Sequence, residues 1–564
     1  MFLAIELCLT AICAALAYAR PQLADRWFAF LEHRLAAFGQ KRTLAVVSLG
    51  LLVLGTRLAL LPILPLPQPQ VHDEYSYLLL ADTLAHGRLA NPTHPMWVHF
   101  ETFHVNWRPT YASMYYPGYG LFLAFGQVVF GHPFWGVWLS CGLMCAAICL
   151  ALQGWLSPAW AFLGALLAVI RLGSFSYWAD SYWGGTVTAL GGALVLGSLP
   201  RIKQNPNNRV RNSILMGIGM ALLASTRPYE GIFFCSPVLV ALTAWGARQR
   251  PLSKIFSQIA FPFALVIAAS LCALGYYFWR VTGSPFTIPY QLNMRTYGLV
   301  FFPWQKIKPV EFHHLALQNY YRGGGVLGFY NLARQHPLKL QTLKALVIWL
   351  FYFGPILTLP WIAWVFTRPR RRFWNSLTPE LRFLLMITLV SYIPIALTIH
   401  LGQPHYAAQL TVVFYAITFM TMRDLYGSVS DRAHPTRFLA RSVPMICLIL
   451  FFARTAAPLL HADPKPSWIR TWCSRDVQNL ERASILKWLE GTPGAHLVIV
   501  RFQPNHDFIL DEWVFNNADI DDSKVVWARD MGPENSELLR YFSGRQAWLV
   551  EPDYNPPRLR HYVQ

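Results

Sequence analysis

Charged residues are scarce in this sequence of 564 residues: Asp, Glu, Lys and Arg together make up 13%, whereas hydrophobic residues make up 54%. Soluble domains usually carry a charge on about a quarter of their residues, which excludes a soluble enzyme of this length. Crossing roughly 30 Å of hydrocarbon takes about 20 consecutive apolar residues. Apolar runs of that order recur along the whole chain, so the composition predicts an α-helical polytopic membrane protein.

Acidic residues are fewer than basic ones, with 28 Asp and Glu against 47 Lys and Arg and a formal net charge of +19. A nucleic-acid-binding protein would gather its basic residues on one soluble face. Here they lie in short loops between apolar runs, where basic residues set the orientation of a membrane protein. The excess of positive charge therefore reports the orientation of the chain in the membrane, and we expect no nucleic-acid partner.

Several other patterns are missing. The nine cysteines do not form a disulfide framework, since eight lie in apolar runs as small packing residues. There are no internal repeats and no low-complexity segment. The polar tail has no Gly-rich phosphate loop and no metal-ligand spacing. We therefore expect no metal-ligating residues and no required cofactor, with a bound divalent cation left open as the alternative.

Twelve apolar runs are predicted to span the membrane. A further apolar stretch, 115–131, opens with Tyr115-Tyr-Pro-Gly-Tyr-Gly120, and we expect it to lie along the interface as one additional helix. The predicted spans are 2–19, 43–65, 134–154, 157–172, 182–199, 212–226, 229–246, 257–279, 342–366, 382–400, 406–423 and 442–460.

Four basic loops decide the orientation, because positive charge favours the cytoplasmic side. They are 20–42, 200–211, 247–256 and 367–381, and all four can be cytoplasmic only if 115–131 does not cross. The predicted domains follow: an extra N-terminal span with its cytoplasmic loop (1–42), a transmembrane domain (43–460) with exterior loops 66–133 and 280–341, and an exterior domain (461–564).

The 461–564 tail is polar, and short β-rich runs alternate in it with helix-like segments. This alternation is typical of a small α/β domain with a partly parallel sheet. The predicted strands are 496–500, 524–527 and 546–550, with helices at 476–490, at 534–542 and in a segment that leads to Lys524.

An acidic pair, Asp73 and Glu74, follows the second predicted span and opens a helix that Gly87 ends. One interpretation is structural: Asp73 is the helix N-cap and Glu74 lies in a first turn that favours negative charge. The other is chemical. A carboxylate at the exit of a span can be half desolvated, so that it acts as a base near neutral pH.

Other predicted exterior turns carry further polar groups. Asp180 lies among the aromatic residues of 174–183, where it is either a solvated acid in an interfacial belt or part of a site. Arg227 and Glu230 share a turn and are either a simple ion pair or a cation and an acid of a site. His405 and Tyr406 stand at a span junction, where a structural histidine is the alternative.

Acids, cations and aromatic rings at one membrane face suit the transfer of a sugar from a lipid phosphate. The polyprenyl chain stays in the bilayer while a carboxylate takes the proton of an attacking acceptor hydroxyl, a help typically worth 10²–10⁴-fold. Cations stabilise the phosphate that leaves. Arg227 and His405, with Arg108 behind them, are the candidate phosphate-binding residues.

Two short motifs, Asp73-Glu74-Tyr-Ser-Tyr-Leu and Tyr116-Pro-Gly-Tyr-Gly, resemble the GT-C fold of polyprenyl-phosphate-sugar transferases. The relatives are protein O-mannosyltransferases, lipid A aminoarabinose transferases and bacterial family-39-like enzymes, and the resemblance covers about 43–425. It implies that Asp73 is the catalytic base and Glu74 and Asp180 further catalytic acids. The resemblance places His405 and Tyr406 where relatives carry residues that face the lipid phosphate. Together with the exterior turns and the second motif, the candidate substrate-binding residues are Arg108, Tyr116, Arg227, Glu230, His405 and Tyr406.

The resemblance also implies a polyprenyl-phosphate-sugar donor, an acceptor hydroxyl on a protein, lipid or glycan, and inversion at the sugar. The site would face the periplasmic side of a bacterial inner membrane. Span 2–19 and the α/β tail have no counterpart in the family pattern. Two alternatives stay open: a secondary transporter or lipid flippase, which also suits twelve spans, and a non-catalytic relative that binds a polyprenyl lipid.

Overall fold

The computed structural model describes residues 1–367, 377–427, 434–462, 470–474, 476–508 and 511–563. The chain is mostly helical up to residue 456 and ends in a small α/β unit. Two short antiparallel strands, β1 (Val105–Asn106) and β2 (Ala112–Ser113), interrupt the helices. The helices before the α/β unit are α1 (Phe2–Ala19), α2 (Asp25–Gln40), α3 (Arg42–Ala59), α4 (His72–Ala85), α5 (Trp97–Phe100), α6 (Pro117–Phe130), α7 (Phe134–Leu152), α8 (Pro158–Leu172), α9 (Thr186–Gln204), α10 (Arg209–Thr226), α11 (Pro228–Gly246), α12 (Leu252–Ile255), α13 (Phe261–Thr282), α14 (Pro289–Thr296), α15 (Leu315–Arg322), α16 (Val326–Gln335), α17 (Pro337–Tyr352), α18 (Gly354–Phe366), α19 (Pro379–Leu397), α20 (Thr411–Gly427) and α21 (Pro435–Ala456).

Helices lie in all twelve predicted spans, and the molecule is an integral membrane protein by its apolar helices. The count of twelve is not confirmed. In the described ranges seven helices are long and apolar enough to cross a membrane, or eight if the bent pair α17 and α18 counts as one. The predicted interfacial stretch 115–131 contains α6, a shorter apolar helix of 14 residues. Most of the basic loop 367–381 lies outside the described residues.

The predicted span 342–366 is not one straight helix, because the chain bends by 98° between α17 and α18. Gly354 has φ +57°, a left-handed conformation that favours glycine, and Pro355 follows it without an N–H group. Glu6 of α1 lies against the bend, where its carboxylate accepts the Ile356 N–H at 3.3 Å. The extra N-terminal helix is therefore part of the helical bundle.

Buried ion pairing holds this junction. The Arg171 guanidinium lies 3.7 Å from the Glu6 carboxylate and donates to the Phe353 carbonyl at 3.0 Å. Trp472, which follows the last helix of the bundle, donates its indole N–H to Glu6 at 3.3 Å. One carboxylate thus joins α1, α8, α18 and the start of the C-terminal segment.

The C-terminal unit is a four-stranded, partly parallel sheet, as the sequence predicts. Strand β3 is parallel to β4 and β5, and β6 is antiparallel to β5 at the edge. Strand β6 was missed because Arg558-Leu-Arg-His561 is polar and exposed. The predicted helix before Lys524 is wrong for the described residues, which form turns there. The elements are α22 (Leu480–Gly491), β3 (His496–Val500), β4 (Val525–Arg529), α23 (Asn535–Tyr541), β5 (Gln546–Glu551) and β6 (Arg558–His561).

The C-terminal unit packs against the 66–133 segment. Arg88 forms two hydrogen bonds with the Asp519 carboxylate, at 2.7 and 2.6 Å. The Tyr75 ring of α4 stacks on Phe515 with 4.3 Å between ring centroids. His72, the first residue of α4, hydrogen bonds with the Phe508 carbonyl at 2.9 Å. The sheet therefore supports the helix that begins with the acidic pair.

The predicted orientation can be tested with single cysteines placed at exposed positions of a cysteine-free chain. Glu311→Cys and Asp522→Cys should react with an impermeant thiol reagent in intact cells, because positive-inside orientation puts both on the exterior side. Asn207→Cys, between α9 and α10, should react only after permeabilisation. Labelling of residue 207 in intact cells with protection of 311 and 522 would reverse the topology.

Candidate active site

Helix α4 begins with an arrangement in which Glu74, rather than Asp73, completes the cap. The residue at the N-cap position is Val71, which has no polar side chain. The Glu74 carboxylate turns back instead and accepts the N–H groups of Gln70 and Val71 at 3.0 and 3.3 Å. Its other oxygen accepts the Tyr182 N–H at 3.0 Å. The N-cap interpretation of Asp73 is therefore wrong, and Asp73 is left for another role.

Glu74 is almost completely buried. Burial, followed by the nearby Asp476 carboxylate, raises its pKa to about 8, although the three backbone N–H groups lower it. The Tyr182 bond ties the start of α4 to the aromatic turn 174–183. This geometry makes Glu74 a buried link between the start of α4 and the aromatic turn.

Asp73 is the open acid of the four that the sequence singled out. Its side chain is 28% exposed, whereas Glu74, Asp180 and Glu230 are 2–4% exposed. The Tyr115 hydroxyl donates to one of its oxygens, and His104 Nδ1 lies 3.9 Å from the other. A carboxylate that is held on one side and open on the other can meet a substrate hydroxyl.

Tyr115 and His104 extend this contact into a small hydrogen-bond network. The Tyr115 hydroxyl lies 3.1 Å from His104 Nδ1, and the Tyr320 hydroxyl lies 3.2 Å from His104 Nε2. Burial lowers the pKa of His104, so its imidazole is neutral near pH 7. The network fixes the Asp73 carboxylate without placing a full positive charge beside it.

A cation and an aromatic ring stand close to this carboxylate. The Arg227 guanidinium lies 4.3 Å from the centre of the Tyr406 ring and 3.9 Å from the Glu230 carboxylate. Burial, followed by the nearby hydroxyl of Tyr406 and the carboxylates of Asp73 and Glu230, raises the pKa of the Tyr290 hydroxyl, whereas Arg227 lowers it. The Tyr290 hydroxyl thus lies within electrostatic reach of all these groups.

His400 belongs to the same cluster and was not among the predicted site residues. Its ring stacks on Tyr406 with 6.3 Å between centroids, and its Nε2 is buried without a hydrogen-bond partner in the described part of the chain. The His405 ring lies 4.9 Å from the Tyr406 ring between centroids, and its Nδ1 is 3.0 Å from the Tyr177 hydroxyl. The sequence could have indicated His400, because His400 and His405 flank the same turn.

Asp180 lies in a buried ion pair. Its carboxylate is 3.2 Å from the Arg57 guanidinium, and Arg57 also donates to the carbonyl groups of Leu64 and Ala179. Both side chains are at most 3% exposed. The pair joins the end of α3 to the aromatic turn, so the geometry gives Asp180 a contact with Arg57 and not an open face toward Asp73.

The two remaining predicted residues differ in position. Tyr116 packs edge-on against Phe278, and burial followed by the Glu230 carboxylate raises the pKa of its hydroxyl, so it lies beside the cluster. Arg108 is exposed and stacks on the Trp97 ring at 5.0 Å. The structure therefore brings together Asp73, Arg227, Glu230, Tyr406 and Tyr116, whereas no contact joins Arg108 to that group. Across the described ranges, no group of three or more His, Cys, Asp or Glu is arranged to hold a metal ion.

The raised pKa of Glu74 predicts a pH dependence of stability. The folded chain keeps the proton up to about pH 8, whereas the unfolded chain releases it near the ordinary value of about 4.5. Glu74 therefore contributes stability below pH 4.5, and that contribution is lost as the pH rises to about 8. In thermal unfolding, the Tm of Glu74→Gln should therefore rise relative to the Tm of the wild type as the pH is raised from about 4.5 to about 8.

The exposed Glu490 provides the control for this measurement. The Tm of a Glu490→Gln variant should change with pH in parallel with the Tm of the wild type over the whole pH range. Parallel curves for Glu74→Gln as well would mean that Glu74 keeps an ordinary pKa in the folded protein.

Comparison with known proteins gives structural neighbours only: no family model matches the chain, and no curated protein matches it in sequence. It is similar to an oligosaccharyltransferase from Archaeoglobus fulgidus solved with Zn and sulfate, with 11% identity, a TM-score of 0.48, and coverage of 90% of this chain and 67% of that one. It is also similar to ArnT from Cupriavidus metallidurans bound to undecaprenyl phosphate, with 13% identity, a TM-score of 0.48, and coverage of 90% and 92%. Both are likenesses of overall shape at low sequence identity. The roles of individual side chains rest on the contacts of this chain.

Proposed function

We propose that this protein is a membrane glycosyltransferase that moves a sugar from a polyprenyl-phosphate donor to an acceptor hydroxyl. The observation that carries the proposal is the open Asp73 carboxylate in one cluster with Arg227 and Tyr406. A base and a phosphate-binding cation around a shared space are the two groups that this transfer needs. The donor's polyprenyl chain would remain among the apolar helices.

Asp73 is the proposed general base. It takes the proton of the acceptor hydroxyl while the acceptor oxygen bonds to the anomeric carbon and the bond from that carbon to the phosphate oxygen breaks. The Tyr115 hydroxyl orients one carboxylate oxygen, which leaves the other free for the acceptor. A single displacement of this kind inverts the configuration at the anomeric carbon.

Arg227 is the proposed partner of the leaving phosphate. A guanidinium offers paired N–H donors in a plane that matches phosphate oxygens. Stacking on Tyr406 fixes the plane of this guanidinium, and Glu230 compensates part of its charge in the resting state. The unpartnered His400 nitrogen is a further donor on the same side. Tyr77, stacked on Tyr115 at 4.3 Å between centroids, extends an aromatic surface toward the sugar.

His405 fits a supporting role better than a direct one. Burial, followed by the charges of Arg227 and Arg470, lowers its pKa well below the usual range, so the ring is neutral. Its contact with the Tyr177 hydroxyl holds the turn that carries Tyr406. We likewise assign Glu74 and Asp180 to positioning the two segments that frame Asp73, rather than to proton transfer.

The proposed placement puts this space on the exterior, periplasmic side of a bacterial inner membrane, with 43–460 as the catalytic domain. The C-terminal unit would then lie on the same side as the acceptor. Its contacts with α4 through Phe508 and Phe515 support the helix that carries Asp73, so removing this unit should reduce transfer even though it supplies no reacting group.

The base assignment predicts the behaviour of Asp73→Asn. Turnover, measured as release of polyprenyl phosphate from a polyprenyl-phosphate-sugar donor, should fall by roughly 10²-fold or more, because an amide cannot take the proton. Donor binding should be retained, since the base acts on the acceptor. Asp522→Asn, an exposed carboxylate of the C-terminal unit, is the matched control and should keep full turnover.

Asp180→Asn distinguishes the two acids in the same assay. It leaves the buried Arg57 without its counter-charge, a loss that typically costs about 3–5 kcal/mol, so its main effect should be a lower Tm. Near-normal turnover in Asp73→Asn would exclude Asp73 as the base. A collapse of turnover in Asp180→Asn at an unchanged Tm would move the base to the aromatic turn.

The phosphate assignment predicts the behaviour of Arg227→Ala. A charge-assisted contact contributes roughly 1.5–3 kcal/mol, so the affinity for undecaprenyl phosphate should weaken by about one to two decades. Arg280→Ala is the matched control, because Arg280 also lies over a tyrosine ring, Tyr276 at 5.9 Å, but is exposed. Equal affinities for the wild type and Arg227→Ala, or an equal loss in Arg280→Ala, would place the phosphate elsewhere.

A further inference from the structure

Helix α2 connects two apolar helices, α1 and α3, that are each long and apolar enough to cross a membrane. Residues 20–24 separate it from the end of α1, and Lys41 alone separates it from the start of α3. Since α1 ends and α3 begins beside it, α2 lies at the level of the membrane surface. No residue of α2 belongs to the cluster around Asp73, so a role for this helix is independent of the proposed transferase function.

The inner side of α2 packs against the beginnings of other apolar helices. Gly39 lies so close to Pro158, the first residue of α8, that an added Cβ would be 2.9 Å from the Pro158 carbonyl oxygen. The Phe28 ring packs edge-on against Phe438, near the start of α21, with 6.3 Å between centroids. These contacts fix α2 to the bundle where α8 and α21 begin, which gives it a defined inner and outer side.

Both acids of α2 are paired with one arginine of α21. The Arg441 guanidinium donates to the Glu32 carboxylate at 2.7 and 3.0 Å, and it also donates to Asp25. The Tyr426 hydroxyl of α20 donates to the same Glu32 carboxylate at 2.8 Å. The Arg441 side chain is only 6% exposed, so this pairing lies on the inner side of α2. The negative charge of the helix is therefore compensated by the bundle.

The outer side of α2 is apolar and basic. Its aromatic rings are the most exposed of the helix, with Trp27 at 72% and Phe30 at 54%. Arg26 and Arg34 are exposed beside them, and the Arg34 guanidinium lies over the Phe30 ring at 5.3 Å. Intervals of three and four residues place these side chains on one stripe of a helix. The other exposed apolar side chains here are Leu23 and Leu31, and the exposed cations at the two ends are Arg20, Lys41 and Arg42.

We propose that the outer side of α2 binds the headgroups of anionic phospholipids, with its aromatic rings among the upper parts of the acyl chains. A basic amphipathic helix with Trp and Phe on its apolar side lies in the plane of the membrane interface, and anionic lipids attract it. The planar guanidinium groups of Arg26 and Arg34 match phosphate oxygens. In a zwitterionic lipid the headgroup cation cancels the phosphate charge, so the net attraction requires an anionic lipid.

Charge and position favour lipid over a second copy of the chain. A two-fold symmetric contact would bring the same surface of both copies together. The cations of one copy would then face those of the other, while Asp25 and Glu32 of each copy are already paired with Arg441. Phospholipid phosphates supply the missing negative charge at the level where α1 ends and α3 begins.

The experiment uses the full-length protein in vesicles, with an NBD fluorophore on Ala37→Cys of a cysteine-free chain. Ala37 is exposed and lies two helical turns after Phe30, on the same side of α2. Two vesicle samples contain phosphatidylcholine and phosphatidylglycerol in equal parts, and a small, equal share of one lipid in each sample carries a quenching nitroxide high on its acyl chain. Nitroxide on phosphatidylglycerol should quench the label about twofold more than nitroxide on phosphatidylcholine, because the cations enrich the anionic lipid beside α2. The difference should shrink as NaCl is raised.

Variants locate the selection of lipid on α2. Arg26→Gln with Arg34→Gln should remove most of the difference between the two samples, whereas Arg26→Lys with Arg34→Lys should retain most of it because the charge is kept. Arg540→Gln with Arg558→Gln removes the same charge from exposed positions of the C-terminal unit and should leave the difference unchanged. A label on Glu490→Cys, an exposed position of that unit, should be quenched by neither lipid.

The proposal fails if neither lipid quenches the label on Ala37→Cys, because α2 would then stand clear of the bilayer. Equal quenching by the two lipids in the otherwise unchanged chain would mean that the helix contacts lipid without selecting an anionic headgroup. A difference that persists in Arg26→Gln with Arg34→Gln would place the selection elsewhere. Disulfide-linked dimers through Ala37→Cys, without quenching by lipid, would assign the outer side of α2 to a second copy.

Discussion

The carboxylate of Glu74 is the constraint on which the site depends. Its two oxygens accept three backbone N–H groups, two from the chain entering α4 and one from the aromatic turn at Tyr182. A buried acid that is satisfied in this way fixes the beginning of the helix against a neighbouring segment. Asp73 is then released from capping and can face open space. Glu74 thus fixes the start of α4, and the adjacent Asp73 remains available to contact a substrate.

The same turn carries a second buried acid with a structural partner. Asp180 pairs with Arg57 at the end of α3, so the turn 174–183 is held on one side by this ion pair and on the other by the hydrogen bond from the Tyr182 N–H to Glu74. Arg227 differs, because its guanidinium lies over an aromatic ring and remains partly exposed, at 19%. The ionic groups around the site therefore fall into two classes. Buried ion pairs such as Asp180 and Arg57 hold segments together, whereas the partly exposed Asp73 and Arg227 can contact a ligand.

Much of the fold followed from composition and periodicity, because long apolar runs and β-rich alternation are local signals. Other features depend on contacts that local patterns do not contain. Consecutive residues of a helix point about 100° apart, so no periodicity could say whether Asp73 or Glu74 caps. Nor could the sequence tell which histidine of the turn contacts the Tyr177 hydroxyl, since His400 and His405 differ only in how the turn folds. The bend at Gly354 was hidden because apolar residues continue on both sides of it, and β6 because its edge position tolerates polar residues.

The contact between Glu6 and the bend at Gly354 has a consequence for the order in which the protein is assembled. Helix α1 carries an acid that is costly in lipid without a partner. Its cation, Arg171, is made about 165 residues after Glu6, and the N–H groups of Ile356 and Trp472 follow later still. The acid of α1 therefore lacks these partners until the distant segments that carry them have been made. Closure of this junction would come late in the insertion of the bundle into the membrane, after α18 and the segment around Trp472.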